Sequence, residues 1–290
     1  MGTLSARLDT LYGARIDCTV RKKGENQCTG FVASLIDDHY APGGERLLEP
    51  VAALLGELVC DPVTERGRFV HAYFDSEKAN LIDAIRSILN DKREYADSRL
   101  LREMCAGEAY GIPRLGDDKS AERIQPQKLY SLYRELIGSA RLELFYSGSA
   151  SRERVEQALR TAFAALPRED VRDTAPAAAH PARETPHSVS EELDVTQGKL
   201  GMGLACGSSD HTALLVGNTL FGGSSNSKLF LNVREKLSLC YYASSVYHRQ
   251  KGIITVSSGI EFENYQRAYD EIMAQLRAVQ EGRLEDWELE

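Results

Sequence analysis

The stretch from Phe221 to Tyr242 constrains the fold of this chain more than any other segment. It reads Phe-Gly-Gly-Ser-Ser-Asn-Ser-Lys-Leu-Phe-Leu-Asn-Val-Arg-Glu-Lys-Leu-Ser-Leu-Cys-Tyr-Tyr, with a glycine pair and a serine-rich turn first and a β-type run last. Between them, apolar residues recur at the spacing of one buried helix face, at Leu229, Phe230, Val233 and Leu237. The stretch therefore predicts a turn, one amphipathic helix and a strand in succession.

The rest of the sequence places strand pairs beside helices and lacks the regular βαβ order of a parallel sheet. Alternating apolar and polar residues predict strands at 14–20, 27–36, 141–146, 188–195, 199–206, 241–248 and 252–260. Helical apolar spacing predicts helices at 5–11, 47–60, 77–91, 100–109, 126–137, 152–166, 211–220 and 264–280. This order predicts an α+β fold with antiparallel-rich sheets and helices packed on one face.

A proline- and alanine-rich segment at 173–187 is the predicted linker. It contains an Ala-Pro-Ala-Ala-Ala run and further prolines, a composition that does not form a packed core. The chain has 290 residues and is 42% hydrophobic, which is enough for two ordinary cores. We therefore expect a first domain at 1–172 and a second at 188–290.

Charge and hydropathy argue against two classes of function. Acidic residues outnumber basic residues by 43 to 35, a net charge of −8, with no basic cluster to bind a nucleic-acid backbone. No apolar run of about 18 residues is present, so we expect no membrane span. The N-terminus lacks the basic and then apolar order of a signal peptide, and the cytoplasm is the expected compartment.

The cysteines are scattered and form no C-x-x-C pair. They are Cys18, Cys28, Cys60, Cys105, Cys206 and Cys240. In a cytoplasmic protein such residues are typically reduced and pack as small apolar side chains. Because zinc-ligand spacing is absent, we expect none of them to bind a metal.

The string GGSSNSKLF…VREK…LCY resembles the C-terminal half of the insulinase-like (pitrilysin) peptidases and the mitochondrial processing peptidases. In that family the pattern reads roughly LGGxxSSRLFxxVREKxGLxY. The resemblance implies two related α+β domains joined by a linker, the first with the zinc site and the second with this motif. It also implies that the first domain is truncated at its zinc-site end and that the last helices of the second domain are missing.

The resemblance assigns substrate contacts to residues of the second domain. The family's motif arginine and tyrosine contact the substrate backbone, and Arg234 and Tyr241 occupy those positions. From the residues alone, Arg234 is equally a solvated or ion-paired helix residue. Gly222, Gly223 and Ser224 are either a plain turn or a helix start whose N–H groups receive a carbonyl or carboxylate. We include all five residues in the expected peptide-binding site.

The resemblance also specifies what a zinc site would require. The family binds zinc with H-x-x-E-H and a later glutamate, yet no two of the histidines here lie within five residues of each other. The distal helix follows the family pattern from Phe74, and Glu77 matches its first glutamate. Its zinc position falls on Ala84, and Asp83 is displaced by about 100° around a helix. We therefore expect Glu77 and Ala84 to be vestigial, with no catalytic residue, metal or cofactor.

Three hypotheses follow from this resemblance. The first is a zinc-less subunit that binds extended peptide and pairs with a zinc-bearing homologous peptidase, or with itself. The second is an active zinc endopeptidase whose metal-binding helix is absent from this sequence, with zinc as its cofactor. The third is a scaffold subunit that retains the fold for assembly. Gain of peptidase activity on mixing with a zinc-bearing homologue separates the first from the third.

Overall fold

The computed structural model describes residues 2–288, which divide into two compact units. Within the described residues, unit 1 consists of 2–22, 27–83 and 114–175, and unit 2 of 23–26, 84–113 and 176–288. The change of unit after Ala175 falls in the predicted linker, whereas 84–113 belongs to unit 2. The division into domains at 1–172 and 188–290 stays a prediction.

Helices and strands are numbered here in chain order. The α-helices are α1 (Gly2–Thr10), α2 (Leu48–Cys60), α3 (His71–Ser87), α4 (Lys92–Met104), α5 (Asp118–Glu122), α6 (Pro126–Ser139), α7 (Arg152–Ala162), α8 (His211–Asn218) and α9 (Tyr265–Gln280). The strands are β1 (Arg15–Lys23), β2 (Asn26–Ser34), β3 (Thr64–Glu65), β4 (Arg68–Phe69), β5 (Gly198–Ala205), β6 (Cys240–His248) and β7 (Ile253–Ile260). Two further segments, Thr219–Gly223 and Leu229–Lys236, are π-helical. None of the helices described between residues 2 and 288 has the length and apolar character of a membrane span.

In unit 1, α2 and α7 pack against each other. Their contact buries Leu48, Ala52, Val155 and Ala158. Gly56 permits the close approach, because a Cβ there would lie 2.1 Å from the carbonyl oxygen of Ala162. The strands of this unit form two-stranded sheets, β1 with β2 and β3 with β4.

An ion-pair network reinforces the same helix pair. Arg154 donates from Nε and Nη2 to the two carboxylate oxygens of Glu49, at 2.7 Å each, and from Nη1 to Asp38 at 2.5 Å. The bidentate pair with Arg154 holds the pKa of Glu49 at about 2, well below its ordinary 4.5. Ser151 begins α7 by accepting a hydrogen bond from the Arg154 N–H.

Unit 2 is built on a three-stranded antiparallel sheet in the order β5-β7-β6. One face packs against α9 and the π-helical segments. This core contains Leu200, Phe221, Leu229, Val233, Leu239, Cys240, Ala243, Val256, Ile260, Ala268 and Ile272. On the alternate positions of β5, Gly201 and Gly203 face α4, and a Cβ at Gly203 would lie 2.4 Å from the sulfur of Met104. The small residues therefore let α4 lie directly on the strand.

The α+β class and most elements follow the sequence predictions, but two predicted strands are wrong. Residues 141–146 and 188–195 contain no strand, and the whole segment from Phe163 to Gln197 lacks helix and strand. A strand requires a hydrogen-bonded neighbour, which an alternating pattern does not supply. In the second segment, Glu191 instead accepts side-chain hydrogen bonds from Tyr95 and Arg99. The predicted helices 152–166 and 100–109 also end early, at Ala162 and Met104.

Candidate functional site

The stretch that dominates the sequence leads from α8 to β6 through two π-helical segments. The predicted amphipathic helix is present at Leu229–Lys236, where its winding is π-helical. At its end the Leu237 N–H donates to the Asn232 carbonyl at 3.1 Å, an i to i−5 bond. π-Helical turns of this kind are rare and concentrate at functional sites.

The buried face of this segment is partly as predicted. Leu229 and Val233 are fully buried, but Leu237 is 38% exposed. The helical segment ends at Lys236, so Leu237 already leaves it, and Leu239 is buried instead. The motif is thus anchored by Phe221, which is also buried, and by these helix and strand residues.

The glycine pair is required by packing. A Cβ at Gly222 would lie 2.7 Å from Leu229 Cδ1 and 2.8 Å from the backbone nitrogen of Ser245 in β6. A Cβ at Gly223 would lie 2.9 Å from Asn218 Nδ2 and 3.0 Å from its carbonyl oxygen. Gly222 is itself buried, and Gly223 is exposed. Both positions therefore have a structural role, whether or not they also contact a ligand.

The serine-rich turn after the glycines is exposed at its start and buried at its end. Ser224 is exposed and donates from Oγ to the Thr219 carbonyl oxygen at 3.3 Å. The helical segment that follows is capped by Ser227, which accepts the Phe230 N–H at 3.5 Å. The cap therefore lies three residues after Ser224, so the turn and the helix start are separate features.

Arg234 and Tyr241 project from the two ends of the same connection. The Arg234 guanidinium stacks 4.6 Å from the Phe230 ring centre, and its side chain is 40% exposed. The connection is short and fixed, since the Ser238 N–H donates to the Arg234 carbonyl oxygen at 3.1 Å. Ser238 adopts a φ of 48°, a conformation that is uncommon for a residue with a side chain.

Tyr241 is the extra residue of a β-bulge. Cys240 pairs with Ile260 and Tyr242 pairs with Gly259, which leaves Tyr241 without a partner in β7. Its side chain is consequently 61% exposed. The hydroxyl donates to Glu261 Oε1 at 2.5 Å, and this hydrogen bond raises the pKa of Tyr241. The phenol is thus held neutral.

The two positions predicted to be vestigial do not form a zinc site among the described residues. Glu77 and Ala84 both lie exposed on α3, and the methyl group of Ala84 offers no ligand atom. Among residues 2–288, the one group of three or more His, Cys, Asp or Glu side chains with converging donor atoms includes neither Glu77 nor Asp83. No catalytic step through zinc is therefore derived for this chain.

A buried polar cluster in unit 2 escaped the sequence analysis. Lys251, in the turn between β6 and β7, is 1% exposed, and its Nζ donates to Glu25 at 2.5 Å and to Glu108. Burial alone would lower the pKa of Lys251, but the two carboxylates raise it overall. Glu108 also lies 2.7 Å from His180 Nδ1. The residues are far apart in sequence and follow no known spacing, so no pattern could have grouped them.

Comparisons with known proteins match nearly the whole chain. Residues 123–290 match the family profile described as Peptidase M16 inactive domain. The chain is 35% identical over 285 residues to a Bacillus subtilis (strain 168) protein named "Probable inactive metalloprotease YmfF", covering 96% of this chain and 66% of that protein. It is 26% identical over 237 residues to "Uncharacterized zinc protease SCO5738" of Streptomyces coelicolor, covering 78% of this chain and 49% of that protein.

A solved structure has the same fold. A conserved protein from Enterococcus faecalis V583 matches with a TM-score of 0.84 at 27% identity, covering 99% of this chain and 68% of that one. Among the curated relatives, the chain spans 66% of the length of the Bacillus subtilis protein and 49% of the Streptomyces coelicolor protein, which is two thirds or less in both cases.

Proposed function

The chain belongs to the peptidase M16 family, with a match to its inactive domain, and we propose that it is a non-catalytic subunit that binds extended peptide beside a zinc-bearing homologous peptidase. The proposal assigns peptide contacts to Arg234 and Tyr241, with Gly223 and Ser224 at the edge of the same surface. Gly222 is buried, so its part is to hold the turn against β6.

The observation that carries the proposal is the way Tyr241 is presented. A bulge interrupts the β6–β7 ladder at Tyr241, and Ser238 takes up a left-handed conformation three residues earlier. Both features lower stability locally, and such departures from regular backbone concentrate at functional sites. Here they place a large aromatic side chain in solvent, directly above a fully buried core.

The two side chains offer complementary hydrogen bonds to a peptide backbone. Arg234 is a permanent donor, suited to peptide carbonyl oxygens. The Tyr241 hydroxyl donates a hydrogen bond to Glu261, so the phenol oxygen can accept a hydrogen bond from a peptide N–H. An extended peptide exposes both kinds of group along one edge, and backbone recognition of this kind is independent of the peptide's sequence.

Binding of unstructured peptides tests this assignment. We expect Arg234→Ala to weaken binding of a fluorescein-labelled unstructured peptide by roughly tenfold, the equivalent of one charge-assisted hydrogen bond. Tyr241→Phe should also weaken binding, because the acceptor oxygen is lost. The matched controls are Arg283→Ala, another exposed ion-paired arginine, and Tyr265→Phe, another exposed tyrosine, both in unit 2. Equal binding by the Arg234→Ala variant and wild type would contradict the proposal.

A second readout separates a substrate role from a structural one. Arg234 and Tyr241 are largely exposed, so their substitution should leave the thermal unfolding midpoint within about 2 °C of wild type. Mixing the chain with a zinc-bearing homologue should raise peptidase activity, and the Arg234→Ala variant should raise it less. An increase with wild type and with this variant alike would favour the scaffold function.

A further inference from the structure

Cys105, Glu108 and His180 form a buried cluster whose donor atoms all lie within 4.8 Å of one another. We propose that this cluster binds a divalent transition-metal ion, best matched by zinc, in unit 2. The site is distinct from the vestigial zinc position on α3, with which it shares no residue. The proposal is also independent of the peptide-binding function.

The donor set selects the class of metal. A cysteine thiolate, a histidine nitrogen and a carboxylate oxygen are three of the ligand types that zinc takes in proteins. The thiolate disfavours magnesium and calcium, which prefer oxygen ligands throughout. Three protein donors leave one position of a tetrahedral zinc for a water molecule.

Two of the donors are held on a rigid turn. Cys105 follows α4 directly, and the Glu108 N–H donates to the Cys105 carbonyl oxygen at 3.0 Å. The turn closes tightly, since a Cβ at Gly111 would lie 2.3 Å from that same carbonyl oxygen. Cys105 and Glu108 are therefore fixed relative to each other before any metal binds, which favours affinity.

The third donor comes from the segment 176–288 of unit 2. His180 is 7% exposed, and its backbone N–H donates to the Lys251 carbonyl oxygen at 2.9 Å. Its Nδ1 lies 2.7 Å from Glu108 Oε1, while the other carboxylate oxygen of Glu108 contacts Lys251. Lys251 thus acts as an outer partner that orients a ligating carboxylate. A metal here would join segment 84–113 to segment 176–288.

The charges of the cluster also suit a divalent cation. Glu25 and Glu108 carry two negative charges, of which Lys251 balances one. A thiolate at Cys105 adds a second negative charge, and a divalent ion neutralises the sum. Cys105 is 0% exposed, so uncompensated charge at this depth would be strongly unfavourable.

Metal binding by the full chain tests the proposed site. After dialysis against a chelator, we expect the wild-type chain to bind about one equivalent of Zn²⁺ or Co²⁺, as one three-ligand site requires. The cobalt form should show thiolate-to-metal charge-transfer absorption in the near ultraviolet. Cys105→Ser should abolish this absorption, and His180→Gln should weaken binding at least about tenfold. Cys206→Ser is the matched control, because Cys206 lies in the same unit outside the cluster.

A stability readout keeps the test valid if one variant folds poorly. Zinc should raise the thermal unfolding midpoint of the wild type and of Cys206→Ser, and should raise that of His180→Gln less. Failure of the wild type to bind at micromolar metal would overturn the proposal. Equal metal content in wild type, Cys105→Ser and His180→Gln would overturn it as well, and would favour a zinc site elsewhere.

Discussion

The two units of this chain achieve their stability in different ways. In unit 2 every residue of β7 is buried or half-buried, because the strand is paired on both edges and its sheet is covered by helices. In unit 1, β1 and β2 contain no buried residue, and the best-packed element is the pair of helices α2 and α7. The motif from Phe221 to Tyr242 belongs to the unit with the continuous core. An exposed side chain on irregular backbone, such as that of Tyr241, is tolerated where the layer beneath it is well packed.

The largest effect should come from a cavity in the core of unit 2. Ile272 is 0% exposed on α9, within the cluster that supports β6 and β7. Ile272→Ala should destabilise this unit by about 2–5 kcal/mol, the range for large-to-small core substitutions. Urea unfolding combined with amide hydrogen exchange measures the effect. Faster exchange in β5, β6 and β7 than in α2 and α7 is expected, and uniform acceleration would contradict the difference between the units.

An intermediate effect is expected at the helix pair of unit 1. Gly56→Ala places a Cβ 2.1 Å from a backbone oxygen of α7, so the two helices must move apart. Overpacking of this kind costs about 1–3 kcal/mol. Gly30→Ala is the control in the same unit, because a Cβ there has no neighbour within 4 Å. Equal urea midpoints for the two variants would show that the helix contact is not a principal source of stability.

The smallest effect is a dependence on pH that unit 1 should show through Glu49. The pKa of Glu49 is about 2 in the fold and 4.5 ordinarily, so its ion pair stabilises the protein above pH 4.5. That stability is lost as the pH falls from 4.5 towards 2. Because Glu49 is 39% exposed, solvent screening reduces the contribution to about 1 kcal/mol.

Glu49→Gln tests this dependence directly. The variant should be less stable than wild type at pH 7 by that amount and equal to it near pH 2, as followed by urea unfolding. Glu156→Gln removes a more exposed ion pair with Arg152, formed within α7, and should change stability less. A constant difference between wild type and Glu49→Gln across this pH range would contradict the assignment.

Elements with strong local signals were predictable. The helix α2 has apolar periodicity and is followed by Asp61 and Pro62, and the structure ends it at Cys60. The turn between β6 and β7 lies where the predicted strands 241–248 and 252–260 leave it. Residues 141–146 had an equally regular alternation, yet they form no strand, since strand formation depends on a neighbour that the local sequence does not specify.

The candidate site likewise has features that the sequence predicted and features that it did not. The motif spacing placed Arg234 on a helix and Tyr241 at the start of a strand, and the structure agrees with both positions. The π-helical winding, the bulge at Tyr241 and the cap at Ser227 depend on packing against β7 and α9. These features have no signature in a single sequence.

The sequence by itself determined the family and the α+β class, because each rests on residue identity or local periodicity. Tertiary structure alone decided which side chains converge. In the sequence Lys251 is an ordinary turn lysine, yet the fold buries it between Glu25 and Glu108. The fold also brings His180 to the turn that begins at Cys105. Long-range convergence of this kind follows from the packing of distant segments, which local pattern does not encode.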